Sequence, residues 1–234
     1  MILSNECWIK DNCKKYKNGE CVENNYCVKL FKLDNLYTQS LLSANQRLHI
    51  NLYLDSDNSD KDQFVILSNI SENIVDFVSS GKNLYIHSSI TGNGKTAWAI
   101  RMMQSYFNNI WHSSGLECRA LFINVPKFFL KLKDSISHEN EYINHIKENV
   151  EKADLVVWDE IGTKLATVYE QENLLSIINN RIDDGKANIY TSNLSPDELR
   201  DKIGDRLYSR IINCSVDVEL RGQDKRFLMK GELK

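Results

Sequence analysis

An α/β fold with a parallel sheet is predicted by three observations. Short apolar runs alternate with helical patterns, a glycine-rich turn joins the first run to a helix, and a later run ends in two carboxylates. The turn reads Ser89-Ile90-Thr91-Gly92-Asn93-Gly94-Lys95-Thr96, directly after Leu84-Tyr85-Ile86. A phosphate chain in such a loop lies close against backbone N–H groups, and Gly92 and Gly94 remove the Cβ atoms that would block it. Lys95 falls where its charge meets the β- and γ-phosphates, and the Thr96 hydroxyl is a magnesium ligand. The helix expected over Thr96–Phe107 turns its positive end toward the anion. Ser89 stands where the usual pattern opens with glycine. The turn predicts nucleotide binding.

The second run is Asp154-Leu155-Val156-Val157-Trp158-Asp159-Glu160-Ile161-Gly162. Four consecutive apolar residues fit a strand buried on both faces. Its carboxylates then fall at the strand's carboxyl end, where open α/β sheets bind ligands. Alone, an Asp-Glu turn after a core strand is as good a reading. Beside a P-loop, Asp159 is expected to join Thr96 in holding Mg²⁺ and Glu160 to polarise the attacking water.

The other elements follow in order. A helix is expected from Leu36 to about Arg47, then a polar stretch from Asn51 to Asp62. Phe64, Ile66, Leu67, Ile70, Ile74, Val75 and Val78 recur at helical spacing and predict one helix over Gln63–Ser79, closed by Gly81. Strand Leu84–His87 leads into the P-loop. Strand Arg119–Val125 precedes helical sequence from Pro126 to Glu151, broken near Asp134–His138. Strand Leu155–Asp159 is followed by a helix over Val168–Asp184, with Gly185 as its C-cap. Strand Asn188–Ser192, helices over Pro196–Ile203 and Arg206–Ile212, and strand Ser215–Leu220 complete the pattern. Only 14 residues follow Leu220, too few for an added helical lid.

With 234 residues and a net charge of −3, the chain suits one α/β domain with a small appendage, and it is not a protein that coats nucleic acid by bulk charge. No run is long enough to span a membrane and the N-terminus is no signal peptide, so a cytoplasmic location is expected. Four of its six cysteines, Cys7, Cys13, Cys21 and Cys27, crowd the first 27 residues. In a reducing compartment such clustering points to tetrahedral Zn²⁺, which would supply stability that a short segment lacks. The wide spacing leaves unligated thiols or a redox pair as alternatives. Cys118 and Cys214 read as small core residues.

Two later patterns are ambiguous alone. Asn193 ends the strand Ile189–Ser192 and is either a turn residue or a contact to the γ-phosphate and attacking water. Arg206 and Arg210 lie four apart on one helix face, for local ion pairs or for an arginine finger reaching a neighbouring subunit's nucleotide. Gly222-Gln223-Asp224-Lys225-Arg226 adds charge after the last strand.

Taken in order, Gly92-Asn93-Gly94-Lys95-Thr96, Val157-Trp158-Asp159-Glu160-Ile161-Gly162, Thr191-Ser192-Asn193 and Arg206-Leu207-Tyr208-Ser209-Arg210 resemble the AAA+ ATPases of the DnaC/DnaI helicase-loader family, which includes the IstB-type transposition ATPases. The resemblance covers about Gln63 to Arg226. It implies an AAA+ P-loop core with a five-stranded parallel sheet and no C-terminal lid, over residues 63–234. A Cys-rich zinc module over 1–34 and a connecting helix and linker over 35–62 would precede it. The family's P-loop lysine, acidic pair, sensor asparagine and finger arginine fall on Lys95, Asp159, Glu160, Asn193 and Arg210. Gly92, Asn93, Gly94, Thr96 and Arg226 join them in binding ATP. The implied activity is assembly-dependent ATP hydrolysis that loads a hexameric DnaB-type replicative helicase onto single-stranded DNA in a bacterial host, in a phage or mobile-element version. A transposition helper ATPase and a non-hydrolysing ATP-binding adaptor are the alternatives.

Overall fold

Residue alternation along the strands decides the architecture. In the computed structural model, residues 11, 13–21, 26–48, 52, 59–135 and 137–225 are described. A two-residue hairpin comes first, β1 (Tyr16–Lys17) and β2 (Glu20–Cys21), turning through Asn18 and Gly19 at φ 52° and 85°. Asn-Gly favours this turn because both residues accept left-handed backbone. Helices α1 (Tyr26–Gln39), α2 (Ala44–Leu48), α3 (Lys61–Glu72) and α4 (Ile74–Ser79) lead to β3 (Asn83–His87) and α5 (Lys95–Ile110). Next come β4 (Ala120–Asn124), α6 (Val125–Asp134), α7 (Glu141–Asn149) and β5 (Leu155–Asp159). The chain continues through α8 (Val168–Asp183), β6 (Ala187–Ser192), α9 (Pro196–Ile203), α10 (Asp205–Ile212) and β7 (Ser215–Glu219).

The five long strands form one sheet in the order β4-β5-β6-β3-β7, every pair parallel. Because successive side chains face opposite sides, β3, β4, β5 and β6 each feed two cores, while β7 at the sheet's edge buries only Val218. Leu84, Ile86, Phe122, Val157 and Ile189 face α1, α3, α4 and α5. Tyr85, Leu121, Ile123, Trp158 and Tyr190 face the helices α6 to α10. The result is a three-layer sandwich with all carboxyl ends of the sheet on one edge.

Two helical expectations needed correction. The sequence over Gln63–Ser79 forms two helices, because the Asn73 amide turns back to Asn69 O at 2.9 Å and competes with the helix's own bonding. The helix expected over Leu36–Arg47 instead starts at Tyr26 and stops at Gln39. Ser40 Oγ donates to Tyr37 O at 2.7 Å and Leu41 takes φ 64°, so α2 begins separately. α1 thus runs across position 34. Among the described residues no helix is long and apolar enough to cross a membrane.

Candidate nucleotide-binding site

The glycine-rich turn sits between β3 and α5, at the sheet's carboxyl edge. Gly92 and Gly94 take φ 76° and 113°, which a residue with a Cβ adopts only under strain. Asn93 braces the loop by donating to Ser88 Oγ at 2.7 Å and to Leu220 O at 3.3 Å. The Lys95 ammonium is buried and folds back onto the loop. It donates to Ile90 O at 2.7 Å and to Ser88 O and Asn93 Oδ1 at 3.3 Å.

Beside it, Thr96 Oγ1 donates to Asp159 Oδ1 at 2.8 Å, and Thr191 Oγ1 reaches the same oxygen at 2.8 Å. Burial pushes the Asp159 carboxyl above the ordinary aspartate range and nearby Glu160 adds to this, while the threonine hydroxyls pull the other way. A bound dication would offset the burial cost, and a hydroxyl with a carboxylate is the hard oxygen set that suits Mg²⁺. The donor chemistry therefore fits that ion.

Glu160 follows at φ 61°. Its amide donates to Thr191 Oγ1 at 3.0 Å, and the Ile161 amide donates to Thr191 O at 2.9 Å, which together fix the turn. Asn124, at the end of β4, donates through Nδ2 to Glu160 Oε2 at 3.1 Å and lies 3.4 Å from Asp159 Oδ2. The same side chain accepts from the Lys127 amide and caps α6. Asn124 and Thr191 were not singled out as site residues in the sequence. Their position at strand ends level with Asp159 was the signal that could have found them.

Asn193 is half-buried one residue beyond β6. Its neighbour Ser192 donates to Ile161 O at 2.7 Å and accepts from the Leu194 amide at 3.1 Å, so the loop after β6 is tied to the turn after β5. The Tyr85 hydroxyl holds the same loop through Leu194 O at 2.9 Å. Lys95, Thr96, Asp159, Glu160 and Asn193 thus lie along one edge. Arg206 and Arg210 stand exposed on α10, and among the described residues neither pairs with a carboxylate; Arg200 takes Asp205 instead. Arg226 and Cys7 lie outside the described residues, as does the Cys21 side chain. Cys13 and Cys27 are half-buried, and no cluster of three or more His, Cys, Asp or Glu side chains that could hold a metal is found among the described residues.

A family model of the bacterial DnaA ATPase domain matches residues 59–217, from just before α3 into β7. The chain belongs to this family. It shares its AAA+ fold with solved members of the DnaC/DnaI type. The crystal structure of the DnaC helicase loader superposes with a TM-score of 0.61 at 18% identity, covering 76% of this chain and 100% of that one. A crystal structure of DnaI gives 0.60 at 17% identity, over 80% and 95%. The replication initiator DnaA bound to AMPPCP and single-stranded DNA gives 0.59 at 19% identity, over 82% of this chain and 56% of that one. No curated protein sequence matches the chain. The fold is therefore common to all three, and the two loader-type chains are covered over nearly their whole length.

Proposed function

We propose that the protein is an ATP-hydrolysing loader that places a ring-shaped, hexameric DnaB-type replicative helicase on single-stranded DNA. The observation that carries the catalytic part is the linked set Thr96, Asp159, Asn124 and Glu160 beside the glycine-rich turn. The loader part rests on a match that spans the full length of the DnaC helicase loader but about half of the DnaA chain.

In this reading Lys95 leaves the loop carbonyls to meet the phosphates. Thr96 and Asp159 would hold Mg²⁺, which neutralises charge on the β- and γ-phosphates when bound. Glu160, once released by Asn124, orients the attacking water, and Asn193 contacts the γ-phosphate. Arg210 of a neighbouring copy completes the site, which makes hydrolysis depend on self-assembly. Cys7, Cys13, Cys21 and Cys27 would hold zinc around the β1–β2 hairpin, and this N-terminal module would grip the helicase.

The test is native mass spectrometry of the full chain mixed with its host's hexameric helicase, with and without ATP. Beside it run Glu160→Gln and a form lacking residues 1–25. The expected result is a defined complex that ATP modulates, that Glu160→Gln locks in its ATP state, and that the shortened form does not make. No complex in any nucleotide state overturns the loader reading and points to a transposition-type ATPase. Equal ATP turnover by Glu160→Gln and wild type removes the catalytic role.

A further inference from the structure

Beyond β7 the chain turns back over the glycine-rich loop, and neither the family match nor the nucleotide-site reading accounts for its contacts. Leu220 is the last residue tied to the sheet, its amide donating to His87 O at 2.8 Å and its carbonyl accepting from Asn93 Nδ2 at 3.3 Å. Asp60, buried at 3% exposure ahead of α3, then takes both of the next amides: Arg221 N–H at 2.6 Å and Gly222 N–H at 2.9 Å. Three residues on, the Lys225 amide donates to Gly92 O at 3.0 Å. Between these anchors the Asp224 carboxylate lies against Gly92. A Cβ built on that glycine would stand 2.0 Å from Asp224 Oδ1 and 2.8 Å from Oδ2.

A side-chain carboxylate therefore fills the space that Gly92 leaves open, on a loop whose glycines suit it to a phosphate chain. In the same structure the Lys95 ammonium is engaged with the carbonyls of Ser88 and Ile90. Two negative groups a few ångströms apart over one loop repel each other strongly in a partly buried site. Phosphates and the Asp224 carboxylate are thus competing occupants.

We propose that residues 221–225 form an internal strap whose Asp224 carboxylate competes with ATP for the loop, hinged where Asp60 holds Arg221 and Gly222. Nucleotide binding then lifts the distal part of the strap, residues 223–225, away from the loop. The inference rests on the reading of the loop as an ATP site. It adds a conformational output in residues 223–225, driven by the nucleotide's charge.

The experiment titrates full-length wild type, Asp224→Asn and Lys95→Ala with ATP and with adenosine, and follows amide hydrogen exchange in the wild type. Asp224→Asn keeps the shape and removes the charge. The expected result is about tenfold tighter ATP binding by Asp224→Asn, from relief of a single like-charge contact, with adenosine binding unchanged. On ATP addition the wild-type Lys225 amide loses protection, while the Arg221 and Gly222 amides keep theirs. If Asp224→Asn binds ATP no better than wild type while Lys95→Ala binds worse, the loop is an ATP site and the strap is a fixed buttress, which overturns the proposal. If Lys95→Ala binds ATP as well as wild type, the site reading falls and the strap with it. Should Asp224→Asn fail to fold, the wild-type exchange decides, since continued protection of Lys225 in saturating ATP is incompatible with lifting.

Discussion

Glu160 carries a Cβ into left-handed backbone at φ 61°, a conformation that costs an ordinary residue about 1 kcal/mol. The turn is held there by Thr191, which bonds the Glu160 amide, the Ile161 amide and the Asp159 carboxylate at once. Such strain aims the carboxylate away from the strand axis, toward Asn124. Asp159 shows a second local cost. Burial raises its carboxyl pKa, so the native state holds a proton there more readily than the unfolded chain. The sign follows: ionised Asp159 counts against stability, and the penalty grows as pH rises from the ordinary aspartate range through the raised native value. Asp159→Asn is therefore expected to make the nucleotide-free protein more stable near neutral pH, an advantage that shrinks in acid. The same variant loses the extra melting temperature that Mg²⁺ and ATP give the wild type. Thermal melts between about pH 5 and pH 8 check both parts, and a variant less stable than wild type at neutral pH contradicts the account. The placement of Lys95, Asp159 and Glu160 along one edge was legible because their types and spacing are tied to a sharp turn and a buried strand. Thr191 and Asn124 were not, since a threonine in a strand and an asparagine before a helix each have an ordinary local explanation. Their bonds to Asp159 and Glu160 come from strand neighbours that only the sheet order brings together.

At the scale of elements, β3 to β6 were legible because each is buried on both faces and bounded by polar turns. Observed and expected limits differ by at most a residue at each end. Helix breaks were less so, because Asn73 and Ser40 act through side-chain bonds to the backbone rather than through composition. Arg181 was illegible for another reason. In sequence it is one more charge near the end of a helix, yet it is fully buried beneath the sheet. Its guanidinium donates to Val150 O at 2.5 Å, Ala153 O at 2.8 Å, Ala187 O at 2.6 Å and Asn188 Oδ1 at 2.7 Å. Asn188 in turn accepts from Trp158 Nε1 at 3.1 Å and donates to Asn83 Oδ1 at 2.9 Å. Burial lowers the guanidinium pKa to about 10, which leaves it cationic at neutral pH. One side chain thereby ties α8 to the starts of β5 and β6. Arg181→Met fills similar volume but strands three carbonyls, and is expected to cost about 3 kcal/mol or more in denaturant unfolding. Because this network lies at the opposite end of the strands from the glycine-rich turn, ATP affinity of the folded fraction should be unchanged. A variant with wild-type stability would mean that water replaces the guanidinium.

The whole molecule differs from its sequence outline chiefly at the N-terminal side. The cysteine-rich composition suggested a unit ending at position 34, but α1 begins at Tyr26 and its second half belongs to the main core. Leu36 is 1% exposed, and Tyr37 meets the Phe107 ring edge-on with centroids 5.1 Å apart. The residues that end α1 also cover β4, the edge strand. Ser40 O accepts from the Phe122 amide at 2.8 Å, and Gln39 O accepts from His145 Nε2 at 2.8 Å. An uncovered edge strand offers unpaired backbone groups to any other strand. Cuts on either side of α1 should therefore behave differently. Removing residues 1–25 takes the hairpin and leaves α1, so ATP binding and melting temperature are expected to stay near those of the full chain. Removing residues 1–40 strips Leu36 and Tyr37 from the core and frees the β4 edge, at a cost of about 4 kcal/mol, and should promote aggregation. Melting curves and light scattering on the two forms decide the point. Equal stability would place α1 with the cysteine-rich unit, whereas the expected gap makes α1 part of the main core.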